Sequence, residues 1–275
     1  MYRCVNSVIK QSFQPLEIIL VNDGCKETLY FQKFVQTDIK IEPFTLPVNS
    51  GPAAARNLGI KNSKGNYIAF LDSDDYWGID KLKNQVSLFK KYASCDEIII
   101  VSPVTLVKSG DILGYRYPII ENNKNCNWRL YKGPYLYLGS TAFFSTKILT
   151  PNGYQNPKLR IYEDFEWQIR LVRESNVQFV CSSNPDVYIE KRKRKHSKNN
   201  LKKNYLELLS CIKKNKECQN TLLKHITAGY FLDLAVSDLN RQSYFHFIYN
   251  LVKSFLIFPR LRIHIAKFWI SGKAA

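Results

Sequence analysis

The stretch Tyr67-Ile68-Ala69-Phe70-Leu71-Asp72-Ser73-Asp74-Asp75-Tyr76-Trp77 runs five apolar residues straight into three carboxylates within four positions. With Gly65 upstream and no polar alternation to mark a solvent side, Tyr67 to Leu71 is expected to be a strand buried on both faces of a parallel sheet. Open α/β sheets take their ligands off the carboxyl ends of such strands. Asp72, Asp74 and Asp75 would then project into a crevice, where close like charges raise one another's pKa unless a cation lies between them. Oxygen-rich ligation of this kind suits a hard divalent ion, Mg2+ or Mn2+, which bridges to phosphate oxygens. The same residues also read as a solvated acidic turn capping the next helix, and the stretch alone leaves both readings open.

Upstream, Arg3 to Gln11 places Val5, Val8 and Ile9 on one helical face, and Leu16 to Val21 reads as a buried strand ending in the turn Asn22-Asp23-Gly24. Glu27 to Val35 reads as a helix and Ile39 to Phe44 as a short strand. Ser50-Gly51-Pro52 then opens an alanine-rich helix, with Ser50 as its expected N-cap and Pro52 in the first turn. Free N–H groups at that terminus favour an anion, and Arg56 one turn later adds a charge-assisted donor; a packed helix with a surface arginine fits equally.

Downstream, Asp80 to Tyr92 carries Leu82, Val86 and Phe89 at helical spacing. Ile98 to Val107 is expected to be one strand, turning at Ser109-Gly110-Asp111 into a second over Ile112 to Tyr117. Residues 118 to 135 read as a polar loop, and Tyr137 to Phe144 as a strand or a helix start. Phe165, Ile169 and Val172 form a helical stripe that puts Glu163 and Asp164 at a helix N-terminus. There the dipole stabilises acids, and a carboxylate at a cleft mouth is equally a candidate general base.

The 275 residues suffice for one large α/β domain with a helical appendage, and 45% hydrophobic with 13% aromatic residues excludes a disordered chain. A net charge of +17 favours anionic partners. Nucleic acid is not expected among them, because no recognised binding motif is present and the acids cluster where a phosphate backbone would pass. The seven cysteines are scattered, without a Cys-x-x-Cys pair, so neither a zinc site nor a disulfide framework is expected and a reducing cytoplasm is the simpler home. Met1 to Phe13 carries polar residues throughout instead of an unbroken apolar run, so no signal peptide is expected, and Lys253 and Arg260 interrupt the only long apolar region well short of the ~20 residues a spanning helix needs. From Glu190 the composition shifts to the run Lys191-Arg192-Lys193-Arg194-Lys195-His196 and then to helices. Tyr244 to Ile270 mixes Phe, Ile, Leu and Trp269 with Lys253, Arg260, Arg262 and Lys267, which suits a helix lying on an anionic membrane; a helical subdomain packed on the core is the alternative, favoured for Tyr230 to Asn250.

Taken together, Ser7 to Phe13, Glu17 to Gly24, Asn49 to Ile60, Lys64 to Trp77 and Lys81-Leu82 resemble, in order and spacing, the family-2 glycosyltransferases of GT-A fold. Glu163-Asp164, about 90 residues beyond the acidic strand end, is similar to that family's Glu-Asp motif. The resemblance implies a nucleotide-sugar-binding, Rossmann-like mixed sheet flanked by helices over residues 1–198, followed by a basic helical region over 199–275. It implies that Asp23 meets the nucleotide base and that Arg56 lies near the uridine. Asp72 and Asp74 match the Asp-x-Asp pair, the second favoured as direct metal ligand, with His196 completing the metal site in some members. Asp164, beside Glu163, matches the base that deprotonates the acceptor hydroxyl. The implied activity is metal-dependent, inverting transfer from a nucleotide-diphosphate donor, a UDP-sugar, to a glycan or glycolipid hydroxyl in surface polysaccharide or lipooligosaccharide synthesis. The implied location is cytoplasmic, peripheral on the inner face of the membrane.

Two departures qualify the match. Asn22 and Cys25 stand where the family writes Asp and Ser, and the chain opens inside the first helix, so the family's first, central strand is expected to be missing. That loss motivates a second expectation, of a catalytically weak remnant that binds nucleotide or acts as a scaffold.

Overall fold

A computed structural model describes residues 1–25, 37–92, 97–118, 137–149, 153–174, 177–191, 197–213 and 219–259. The expected helix at Glu27 to Val35, most of the 118–135 loop and His196 lie outside them.

The chain opens with helix α1 (Tyr2–Ile9), which buries Cys4, Val5 and Val8. Strands β1 (Glu17–Asn22) and β2 (Lys40–Thr45) pair in parallel, with Pro43 tolerated because β2 is an edge that needs no donor there. Helix α2 (Pro52–Asn62) follows. Then come β3 (Tyr67–Ala69), β4 (Tyr76–Trp77) and helix α3 (Lys81–Lys91). Next are β5 (Ile98–Val101), β6 (Val104–Lys108), β7 (Asp111–Arg116), the single turn α4 (Leu138–Thr141) and β8 (Phe143–Ser145). Helix α5 (Glu163–Glu174), β9 (Gln178–Cys181) and β10 (Val187–Glu190) complete the α/β part. Helices α6 (Lys198–Lys213), α7 (Gln219–Asn240) and α8 (Tyr244–Ile257) close the described chain.

Besides β1-β2, two four-stranded sheets have the orders β3-β8-β5-β9 and β4-β10-β6-β7, mixing parallel and antiparallel pairs. This mixed α/β architecture with a helical C-terminal part is the expected fold class.

The acidic stretch differs from its expectation. β3 holds only three residues, lies at a sheet edge and pairs antiparallel with β8. Tyr67 is 51% exposed, while Ile68 and Phe70 point inward. The strand buried on both faces is β5, whose four residues are all 0% exposed. Ile99 and Val101 pack with Phe144, Trp167 and Phe179 on one side; Ile98 and Ile100 pack with Trp77, Leu82, Phe89 and Phe143 on the other. A continuous apolar run therefore does mark the central strand, but the more apolar of two such runs takes the place. The single expected strand over Ile98 to Val107 is two strands, because Pro103 has no N–H for a ladder and the chain passes there from one sheet to the other. β9 and β10 were not anticipated from the sequence. Within the described residues β1 has β2 as its one neighbour and β3 has β8, so each keeps an open edge.

Three contacts hold α1 against this framework through one buried amide. The Gln11 side chain donates to Ser7 O (2.9 Å) and Gly78 O (2.7 Å) and accepts from Leu82 N (2.9 Å), an otherwise orphan donor in the first turn of α3.

Candidate active site

The chain leaves β3 at Phe70 and turns so that the Asp75 N–H donates to Asp72 O (3.0 Å). Ser140 on α4 then sorts the three acids. Its Oγ accepts from Asp72 N (3.1 Å) and donates to Asp75 Oδ2 (2.5 Å), while Glu190 N donates to Asp75 Oδ1 (3.1 Å). Asp75 is thus turned inward, 5% exposed. Burial pushes its carboxyl up to about 7, with Asp72 and Asp74 adding to the rise and the Ser140 bond opposing it. Asp72 and Asp74 stay partly exposed.

Arg56, on the second turn of α2, reaches across to this strand end. One guanidinium nitrogen donates to Asp72 Oδ1 (2.8 Å) and the other to Glu163 Oε1 (3.2 Å) and Gln155 Oε1 (3.2 Å). Its side chain is 11% exposed. Burial works against the charge, but Asp72 and Glu163 outweigh it and hold Arg56 protonated, above the usual arginine range. Next to it, Asn57 exchanges two hydrogen bonds with the Gln155 backbone (2.7 and 3.0 Å), which fixes the segment leading to α5. One arginine therefore joins the acidic strand end to the Glu163-Asp164 helix start, over a sequence separation of 107 residues.

Glu163 is buried and Asp164 partly so. Burial raises both carboxyls above the ordinary range; Asp164 adds to the rise at Glu163, and Arg56 opposes it at both. Asp164 Oδ1 accepts from Phe165 N (2.8 Å) at the first turn of α5, where the helix dipole favours a carboxylate.

Gly139 is packed against the ion pair. A Cβ built on it would stand 2.7 Å from Asp72 Oδ2 and closer still to Arg56 Nη2. Cys4 lies beside the same turn, its Sγ 3.6 Å from Asp72 O, but burial pushes its thiol up to about 12, which leaves it inert as a nucleophile.

Asp23 sits apart from this cluster. Its carboxylate accepts from Ser50 N (2.6 Å) and from Gly51 N (2.9 and 3.1 Å), so the amides ahead of α2 already hold an anion from the chain itself. Gly51, at φ 92, is the N-cap in place of the expected Ser50, whose hydroxyl donates to Val48 O instead. A cavity of ≈ 480 Å3 opens beside Asp23, walled by residues that include Asn49, Gly51, Pro52, Lys158, Arg160, Lys203 and Asn204, with Arg160 donating to Asn49 O (2.7 Å). Its cationic wall suits a negatively charged ligand. Asp72, Asp74 and Asp164 are not on its wall.

The structure thus brings Arg56, Asp72, Glu163 and Asp164 into one charged cluster and places Asp23 at the base of α2. Among the described residues no group of three His, Cys, Asp or Glu is arranged to hold a metal ion. Two carboxylates at a strand end still suit Mg2+, which is held by one or two protein oxygens when substrate phosphates supply the rest. Gln155, Gly139 and Ser140 were missed by sequence reasoning: an amide, a glycine and a serine carry no chemical signal until their neighbours are known.

The profile described as Glycosyl transferase family 2 matches residues 1–148, more than half of the chain. The chain belongs to this family. A glycosyltransferase of Haemophilus influenzae, itself uncharacterised, is 39% identical over 101 residues, 33% of this chain and 40% of that protein. The Escherichia coli UDP-Glc:alpha-D-GlcNAc-diphosphoundecaprenol beta-1,3-glucosyltransferase is 36% identical over 87 residues, 32% of this chain and 34% of the enzyme. The chain therefore spans less than half the length of these curated relatives. The family-2 fold itself is shared with the Staphylococcus aureus TarS fragment 1–349 in complex with UDP-GlcNAc, at a TM-score of 0.61 and 19% identity, covering 92% of this chain and 76% of that one.

Proposed function

We propose that this family-2 glycosyltransferase moves a sugar from a UDP-sugar to a hydroxyl of a lipid-linked or growing glycan, with inversion at the anomeric carbon. The observation that carries the reading is Arg56, which ties the Asp72 strand end to the Glu163-Asp164 helix start. In this reading the two ion pairs link the donor and acceptor halves of the transfer site.

In this reading Asp164 accepts the proton of the acceptor hydroxyl as its oxygen bonds to the anomeric carbon, and the bond to the diphosphate breaks with its electron pair leaving on the phosphate oxygen. The raised carboxyl of Asp164 brings its basicity nearer to neutral pH, as a general base requires. Glu163 holds Arg56, and Arg56 orients Asp72. Asp74 and Asp72 are the residues that would hold Mg2+ or Mn2+, with His196 as a further candidate ligand. When bound, such an ion neutralises charge on the departing diphosphate. Asp23, in its present bonds, sets the loop ahead of α2 and faces the cationic cavity where the nucleotide would lie.

Residues 1–198 form the transferase unit in this proposal, and 199–275 the part that meets the inner face of an anionic membrane. Phe245, Ile248, Val252 and Leu256 lie at helical spacing on α8, 78%, 57%, 50% and 74% exposed. Among the described residues no helix is long and apolar enough to cross a membrane. A surface polysaccharide or lipooligosaccharide precursor is the acceptor that such a location would supply.

The test is a panel of UDP-, GDP- and dTDP-sugars assayed for donor hydrolysis and transfer with Mn2+, beside Asp164→Asn and Asp74→Ala. The reading expects turnover of a UDP-sugar, lost in Asp164→Asn with UDP affinity kept, and metal dependence lost together with UDP affinity in Asp74→Ala. Full turnover by Asp164→Asn would refute the base assignment.

A further inference from the structure

The approach to Glu163 is held from the C-terminal helices. Tyr162, the residue before it, has φ 71, a left-handed conformation that a side chain with a Cβ adopts only where its surroundings impose it. Those surroundings are visible. Tyr162 Oη donates to Asp233 Oδ2 on α7 (2.6 Å), and Tyr162 O accepts from Glu166 N (2.8 Å), which closes the first turn of α5. The two preceding amides, Arg160 N (2.6 Å) and Ile161 N (3.0 Å), both donate to Asn204 Oδ1 on α6, and Asn204 Nδ2 is spent on Asn200 O (2.8 Å). Asn204 is 4% exposed, so its side chain is an interior strut. Around these bonds Leu159, Phe165 and Ile169 pack with Leu208 and Ile212 of α6 and Leu222 and Ile226 of α7.

We propose that Asn204 and Asp233 are positioning residues of the transfer site, acting through the 160–162 backbone and the Tyr162 hydroxyl to set where Glu163 and Asp164 stand against Arg56. The proposal rests on the functional reading above. It assigns α6 and α7 a part in catalysis that their basic, helical composition does not suggest, since neither residue touches the reacting atoms. A loss of either strut lets Tyr162 relax toward an ordinary backbone conformation, which rotates the first turn of α5 and its two carboxylates. Small misplacements of this kind lower turnover more than they lower donor binding.

The experiment uses the full chain. Tyr162→Phe removes only the hydroxyl, Asp233→Asn keeps an oxygen acceptor for it, and Asn204→Leu removes the acceptor of both amides. Turnover of UDP-glucose and UDP-N-acetylglucosamine gives kcat and donor KM, and amide hydrogen exchange reports residues 160–166. We expect Tyr162→Phe to lower kcat by about tenfold with donor KM changed less than about twofold, the loss of one hydrogen bond's worth of orientation, and Asn204→Leu, on the cavity wall, to lower kcat and change donor KM as well. Asp233→Asn should retain most of kcat, and exchange in Tyr162→Phe should accelerate over 160–166 alone. Unchanged kcat in Tyr162→Phe, or a fall matched by faster exchange throughout the chain, overturns the proposal. Should the wild-type chain turn over neither donor, the transferase reading fails separately. Exchange still decides the strut in that case: acceleration confined to 160–166 in Tyr162→Phe supports it, and an unchanged profile overturns it.

Discussion

Gly139→Ala introduces one methyl group at the centre of the site. Its carbon would lie 2.7 Å from Asp72 Oδ2 and closer to Arg56 Nη2, distances at which something must move. Arg56 cannot retreat easily, being held by Glu163 and Gln155 as well as Asp72 and only 11% exposed. The moving group is therefore Asp72, the more exposed partner at 34%. Inserting a methyl into a packed site costs about 1–3 kcal/mol, and a half-exposed charge pair adds little to that once water replaces the partner. A net loss near 2 kcal/mol corresponds to a Tm fall of roughly 4–8 °C for a chain of this size. Donor turnover should fall further, by about 10–100-fold, if Asp72 serves the donor diphosphate as proposed, because the added methyl displaces it. Thermal unfolding and UDP-sugar hydrolysis read the two effects. Gly229→Ala is the matched control: it sits inside α7 with nothing within 4 Å of the added carbon, so it should be neutral or stabilise by up to about 1 kcal/mol. If Gly139→Ala keeps both Tm and turnover at wild-type values, the close approach of α4 to the ion pair is not what the geometry implies.

Asp75→Asn should remove a pH dependence in the metal-free protein. The folded carboxyl titrates near 7 against 3.8 when free, so the folded state holds a proton that the unfolded state has lost between these values. Wild-type stability therefore declines as pH rises from about 4 to 7, by at most about 4 kcal/mol. Asp75→Asn, followed by urea unfolding at several pH values, should gain on wild type across that window; a constant difference would sink the assignment. Gln11→Ala leaves Leu82 N and two carbonyls without their partner and should cost roughly 2–4 kcal/mol in chemical denaturation, with α1 the first element to exchange. Phe245→Asp with Leu256→Asp should weaken sedimentation with phosphatidylglycerol vesicles by more than about tenfold without altering Tm, since both side chains are exposed. Equal vesicle binding would remove α8 from the proposed membrane face.

The acidic stretch shows how far residues alone carry the interpretation. Three carboxylates after an apolar run announce a strand end with chemistry, and the blocks around Asp23, Arg56 and Glu163-Asp164 announce the family, because their order and spacing survive in one dimension. Helical stripes at Leu82 to Phe89 and Phe165 to Ile169 were legible for the same reason: a period of 3.6 is a property of the chain itself. Strand rank was not. Whether Tyr67 to Leu71 or Ile98 to Val101 occupies the centre depends on which run finds apolar partners on both faces, and those partners come from Phe143, Trp167 and Phe179, far along the chain.

The sequence by itself thus determined the fold class, the family and the set of charged residues to consider, since local propensity and motif spacing need no third dimension. Only the tertiary structure decided how these residues are arranged around one another. Ser140 turns Asp75 inward, Gly139 admits the Arg56–Asp72 pair, Arg56 spans to Glu163, Asn204 holds the backbone amides before it and Asp233 holds the Tyr162 hydroxyl. Each of these depends on groups scores of residues apart meeting at hydrogen-bond distance. A small or neutral side chain acquires that role from its neighbours, not from its own chemistry.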